Sequence, residues 1–197
     1  MTRTKRSLHT GYLVAVFGIS GVGKTTLINK FVRDHKTWQA LSASNFLARL
    51  TNRNPHELRV SDRSLVETNQ LFLAEAIHRQ RTAAPETNWL LDAHSTIDND
   101  RELVAVPCKA MALINPDSLI FVFDDAAQIR VRRAADRQRQ RPLRPIDRIE
   151  EEQALALQTC LLFSVELKLE LHRISANDAQ GFSSAIAKTM TRKRSEE

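Results

Sequence analysis

The chain has 197 residues, 42% of them hydrophobic and 26% charged, with a formal net charge of +6. Such numbers describe one globular domain and exclude a wholly disordered chain; no apolar run approaches the roughly 18 residues that a membrane helix needs. The two cysteines, Cys108 and Cys160, stand far apart and match no disulfide or zinc spacing, so free thiols in a reducing, cytoplasmic compartment are expected.

The basic, then apolar start imitates a signal peptide. It runs straight into a glycine loop with no cleavage site before it, so Tyr12 to Phe17 reads as a buried parallel strand. Three of the chain's five glycines follow, in Gly18-Ile19-Ser20-Gly21-Val22-Gly23-Lys24-Thr25-Thr26. This is the G-x-x-x-x-G-K-[ST] pattern. Thr25 to Val32, with apolar residues at 27, 28, 31 and 32, reads as the helix behind it. Strand, glycine loop and helix are what phosphate binding needs, because backbone N–H groups then converge at the positive end of a helix. Nucleotide binding is therefore expected. Lys24, solvent-facing at the helix start, reaches the β- and γ-phosphates, and Thr25 places its hydroxyl on Mg²⁺.

Strand and helix then alternate. Trp38 to Ser42 is a weak strand and Asn45 to Thr51 a short helix. Asp62 to Arg81 is an amphipathic helix, and Trp89 to Asp92 a strand ending in an acid. Leu119 to Phe123 is an apolar strand, followed by a helix from about Asp125. A long helix runs from Asp147 to about Lys168, a last strand from Glu170 to Ser175, and a last helix from Asp178 to about Met190. Such alternation predicts an α/β fold with a parallel sheet covered by helices on both faces, and ligands at the carboxyl ends of the strands. Asp92 stands where a strand beside the glycine loop presents a carboxylate to a metal, the plainer alternative being a helix N-cap or turn acid. The ends, before Tyr12 and after about Thr191, read as frayed basic tails.

The basicity is local. Between Ile129 and Arg148 lie eight arginines and two aspartates, so this stretch carries the whole +6. Arginine suits bidentate contact with phosphate oxygens, whereas a solvated helix face is the plainer reading.

The loop Gly18 to Thr26, the segment Leu91-Asp-Ala-His-Ser-Thr-Ile97, the strand Asn115-Pro-Asp-Ser-Leu-Ile-Phe-Val-Phe-Asp124 and the run Arg132-Arg-Ala-Ala-Asp-Arg-Gln-Arg-Gln-Arg141 together resemble an adenylate kinase of the archaeal type. The order and spacing agree over roughly residues 12–188. The resemblance implies a single P-loop nucleoside monophosphate kinase domain with a core of about 12–190. It implies five parallel strands in the order 2-3-1-4-5, an acceptor-binding region of about 42–81 and an arginine-rich lid of about 132–147. It also implies a role for each matching residue. Gly18 to Thr26 holds ATP and Asp92 supports Mg²⁺. Ser42 lies at the acceptor-binding strand end. Arg59 and Arg63 match a pair of arginines, with Arg63 on the acceptor's phosphate. Gln70 reads the acceptor base or is simply solvent-facing, and His94 faces the acceptor or serves as a structural hydrogen-bonder. Arg132, Arg137, Arg139 and Arg141 close over the donor and the transferring phosphoryl group.

Three positions depart from the family's pattern. Pro142 replaces the aspartate after the last lid arginine, the stretch after Gln153 has no arginine, and residues 98–107, usually rich in glycine and proline, hold no glycine and one proline, Pro107. The donor half is kept and the acceptor half has drifted. The leading expectation is transfer of the γ-phosphoryl of Mg-ATP to a nucleoside monophosphate, AMP or dAMP by the resemblance, with no membrane partner. The alternatives are an ATP-hydrolysing switch or assembly factor with a protein or RNA partner, and a kinase of another acceptor such as a polynucleotide 5′-end. Against nucleic acid, no aromatic residue interleaves with the arginines of 130–148.

Overall fold

The computed structural model describes residues 10–136 and 144–196. Its central strand, β1 (Leu13–Phe17), is buried at all five positions, as its unbroken apolar run requires. It pairs in parallel with β3 (Asn88–Asp92) on one side and with β6 (Ser118–Phe123) on the other. β2 (Trp38–Ser42) and β7 (Leu171–Ser175) complete the sheet at its edges, giving the order β2-β3-β1-β6-β7. Counting these five strands alone, the order is the expected 2-3-1-4-5.

The direction of each crossover sorts the helices. The chain steps from β1 to β2 one way across the sheet, and from β2 to β3 and from β6 to β7 the other way. Right-handed crossovers then place α1 (Lys24–Asp34) on one face, and α4 (Arg63–Ala83) and α7 (Ile146–Leu167) on the other. The packing agrees: α1 lies against α8 (Ala179–Glu196), while α5 (Cys108–Ile114) lies against both α4 and α7. Phe17, Phe121, Phe163 and Phe182 are among the largest fully buried side chains.

Several elements go beyond the sequence reading. α2 (Ala43–Thr51) starts two residues early, capped by Ser42. α3 (Pro55–Arg59), α5 and the antiparallel hairpin β4 (Thr96–Asp98) and β5 (Leu103–Ala105) had no counterpart there. Three to seven residues are too few for a period to show. The hairpin turn is made by local side-chain chemistry: Asn99 Oδ1 accepts from the N–H groups of Arg101 and Glu102, at 3.1 and 2.8 Å. The last helix does not stop near Met190 but runs to Glu196, which corrects the basic tail expected there. The N-terminal tail, residues 1–9, lies outside the described residues. Among the described residues no helix is long and apolar enough to cross a membrane.

Both cysteines are free thiols, Cys160 buried and Cys108 half-buried. Burial pushes the Cys160 thiol up to about 12. Iodoacetamide at neutral pH is therefore expected to leave Cys160 unmodified in the native protein and to alkylate it after denaturation. Mass spectrometry of the two digests checks this.

Candidate active site

The glycine loop is shaped by its neighbours. Gly18 leaves β1 at φ 144°, and a Cβ there would stand 2.4 Å from the Val122 carbonyl oxygen, so only glycine fits. Gly23 takes φ 112° at the N-cap of α1 and offers no side chain to cap it. The N–H groups of the first helical turn thus open toward whatever the loop holds, an anion by preference.

Lys24 is only 5% exposed, contrary to the solvent-facing lysine expected. Its Nζ donates to the carbonyls of Gly18 at 2.7 Å and Ile19 at 3.3 Å, and stands 3.9 Å from Asp92 Oδ1. The ammonium folds back because those carbonyls and the carboxylate are the acceptors within its reach. Asp92 ends β3 in register with Val16 of β1, which brings it beside the loop. There it accepts a 2.6 Å hydrogen bond from Thr25 Oγ1. A hydroxyl and a carboxylate so close form a hard oxygen pair. That suits Mg²⁺, which uses one or two carboxylate or hydroxyl ligands and fills its shell with water and substrate phosphate. Among the described residues no cluster of three or more His, Cys, Asp or Glu is present, and Mg²⁺ in such a site needs none.

Two adjacent arginines of α6 (Ala126–Ala135) hold the loop from outside. Arg132 donates from Nη1 to the Val22 carbonyl at 3.0 Å and pairs through Nη2 with Asp124. Arg133, 7% exposed, donates from Nε to the Ser20 carbonyl at 2.8 Å and from Nη2 to both oxygens of Glu152, at 3.0 and 2.9 Å. Gln153 fixes Asp124 in turn, accepting from its N–H and donating to its carbonyl. Burial pushes the Glu152 carboxyl above the usual range, more than Arg133 pulls it down. Sequence reasoning placed Arg132 near the donor but assigned nothing to Arg133, Glu152 or Asp124. Asp124, an acid closing an apolar strand just as Asp92 does, was the available signal.

Beside the loop opens a cavity of about 730 Å³, walled by α2, α4, α5 and the segment after β3. Its lining includes Ser20 of the glycine loop, Ser44, Gln70 and His94. His94 donates from Nδ1 to the Gly18 carbonyl at 3.0 Å, so it both lines the cavity and braces the loop. Ser42 caps α2 just outside the lining, its Oγ accepting from the Asn45 N–H. Arg63 is not on the lining. Its side chain is 56% exposed and pairs with Glu67 at 3.1 Å and Glu102 at 2.8 Å. Arg59 lies in α3 with its side chain outside the described residues, as are Arg137, Arg139 and Arg141 entirely. Among the described residues the lining has no lysine or arginine, and its two acids, Asp98 and Glu152, pair with Arg144 and Arg133.

A family model described as an AAA domain matches residues 17–150, which span the glycine loop, the cavity wall and α6. The chain belongs to that family. It is an adenylate kinase-like P-loop NTPase, and a relative supports the adenylate kinase half of that description. An adenylate kinase of Methanoculleus marisnigri is 27% identical over 153 residues, covering 73% of this chain and 78% of the relative. In this P-loop NTPase the matched region ends inside α7, just short of Glu152, so the buried partner of Arg133 falls outside it.

Proposed function

We propose that this P-loop NTPase is an ATP-dependent phosphotransferase that moves the γ-phosphoryl group of Mg-ATP to a nucleoside monophosphate, with an adenine acceptor favoured. One observation carries the reading: the phosphate loop and a separate cavity share a wall at Ser20 and His94. Two substrates held on either side of that wall would meet at the loop. Hydrolysis alone has no use for the second chamber.

In this reading Lys24 leaves the Gly18 and Ile19 carbonyls for the donor's phosphates, and the loop N–H groups hold them. Thr25 and Asp92 would hold Mg²⁺, which offsets phosphate charge when bound. Phosphoryl transfer needs alignment and charge neutralisation rather than a strong base, since the acceptor phosphate is already ionised. Arg132, freed from Asp124, together with Arg137, Arg139 and Arg141 of the following segment, would supply further positive charge. Residues 42–81 would form the acceptor region, with Gln70 on the cavity lining and Ser42 just outside it, and Arg59 and Arg63 would serve the acceptor's phosphate. Arg63 would exchange Glu67 and Glu102 for the acceptor's phosphate. The buried and half-buried free thiols support a reducing, cytoplasmic setting.

The cavity's lack of a lysine or arginine among the described residues favours a second reading, an ATPase switch acting through a partner. A nucleic-acid substrate is less supported, because Arg132, Arg133, Arg144 and Arg148 are already paired with carboxylates. ADP release from Mg-ATP, measured with AMP, dAMP, CMP, UMP, GMP and TMP in turn and with none, separates the readings. Under the kinase reading Arg63→Ala raises the acceptor KM about tenfold or more and leaves the ATP KM unchanged, because a charge-assisted contact is lost. If no monophosphate raises ADP release above the baseline, the kinase reading falls.

A further inference from the structure

The long helix α7 is buried along one face, at Ile149, Ala156, Cys160 and Phe163. Its outer face does not look like a solvated one. From Gln153 to Val165 the helix holds no charged residue, in a chain that is 26% charged. Leu161, Leu162 and Val165 stand 48%, 56% and 75% exposed. Exposed apolar residues scattered singly are ordinary, but three within five positions of one helix form a patch. The patch also has an order. Glu151, Ala154, Gln158, Leu161, Val165 and Lys168 are all exposed and succeed one another at alternating intervals of three and four residues. That is the spacing of a seam by which one helix packs against another. The seam begins with an acid and ends with a base.

We propose that this face is the interface of a homodimer, in which α7 pairs antiparallel with α7 of a second copy of this chain about a two-fold axis, independently of the phosphotransferase reading above. The charges select both the partner and the register. With Gln158 opposite Leu161 of the second copy, Ala154 meets Val165 and Glu151 meets Lys168, each pair occurring twice by symmetry. Sliding the helices by one heptad either way sets Glu151 or Lys168 against an uncharged position. A parallel pairing sets Glu151 on Glu151 and Lys168 on Lys168. Leu162 and the half-buried Leu155 border the seam on one side and widen it. Other occupants suit the face less. α7 exposes Asp147, Glu150, Glu151 and Glu166 against Arg148 and Lys168, whereas helices that lie on membranes are rich in lysine and arginine. Residues 1–9 and 137–143 of this chain offer only Met1, Leu8 and Leu143 as large apolar side chains. The seam spans about 26 Å of helix, so the interface is small and its dissociation constant falls in the micromolar range.

Sedimentation equilibrium of the full chain tests the pairing. The parent is expected to shift from 22.4 kDa toward twice that mass between about 1 and 500 µM. Leu161→Glu is expected to stay monomeric throughout, with the melting temperature of the dilute protein unchanged. Val165→Lys repeats the check should the first variant fold poorly. Disulfides test the register, in a Cys108→Ser background, since Cys160 is buried. Ala154→Cys together with Val165→Cys is expected to give a covalent dimer on oxidation, because the two positions lie about 16 Å apart within one helix and cannot bridge there. Either cysteine alone is expected to give none. A parent that stays at 22.4 kDa at every concentration overturns the inference, and if it then floats with phosphatidylcholine vesicles the face belongs to a lipid surface. A dimer that survives both Leu161→Glu and Val165→Lys forms elsewhere and overturns it too. So does a dimer that one of the single cysteines locks, or that the paired cysteines fail to lock, because its helices are not antiparallel in this register.

Discussion

Replacing Lys24 by alanine is expected to lower kcat/KM for phosphoryl transfer by about 100- to 1000-fold, the loss typical of one preorganised contact to developing charge. The ammonium is a buried cation bonded to two of the loop's carbonyls and close to Asp92. The change touches structure too, since Lys24 bonds the Gly18 and Ile19 carbonyls before a nucleotide arrives, the former together with His94. A modest fall in melting temperature is therefore expected alongside the kinetic loss, with the circular dichroism spectrum of the parent retained. Lys24→Arg keeps the charge but not the compact ammonium, and is expected to rescue little. Turnover equal to the parent's in the alanine variant would remove the loop from the mechanism.

Arg133→Ala is expected to cost about 3–5 kcal/mol of stability, because it strands the Glu152 carboxylate in the protein interior. That is a large share of the 5–15 kcal/mol by which domains typically hold together. The same change frees the Ser20 carbonyl, so ATP binding weakens as well. The double change Arg133→Met with Glu152→Leu separates the two jobs. It removes the stranded charge and is expected to recover most of the stability, while the Ser20 carbonyl remains unheld and ATP binding stays weak. Denaturant melts and ATP titrations on the three proteins check this. Recovery of ATP affinity in the double variant would show that Arg133 serves stability alone.

The frame and the donor side were legible in the sequence because their signals are local. The run Tyr12 to Phe17, the three glycines and Lys24 are contiguous, and strand, loop and helix each leave a pattern within ten residues. Asp92 was legible for the same reason, as an acid closing an apolar strand. The acceptor wall was not. It is assembled from α2, α4, α5 and the segment after β3, which are distant in sequence, and two of its pieces are too short to show a period. Arg133 illustrates the opposite error. In a run of eight arginines it was given no role of its own, yet it is 7% exposed, since burial depends on which side of α6 meets the loop.

The contrast between the two sides of the Ser20–His94 wall bears on how such a protein diverges. The donor side is tied by directional contacts: Lys24 to two carbonyls, Arg132 and Arg133 to two more, and Thr25 to Asp92. Any substitution there leaves a charge or a carbonyl stranded, so few are tolerated. The opposite wall is largely aliphatic, and aliphatic walls accept volume-conserving exchange at small cost. Mutations can accumulate in it without unfolding the chain, reshaping the chamber while the cradle stays fixed. Ancestry would then remain readable in the glycine loop and its arginine braces long after the acceptor had changed, and a family assignment made on those residues says far more about the donor than about what receives the phosphate.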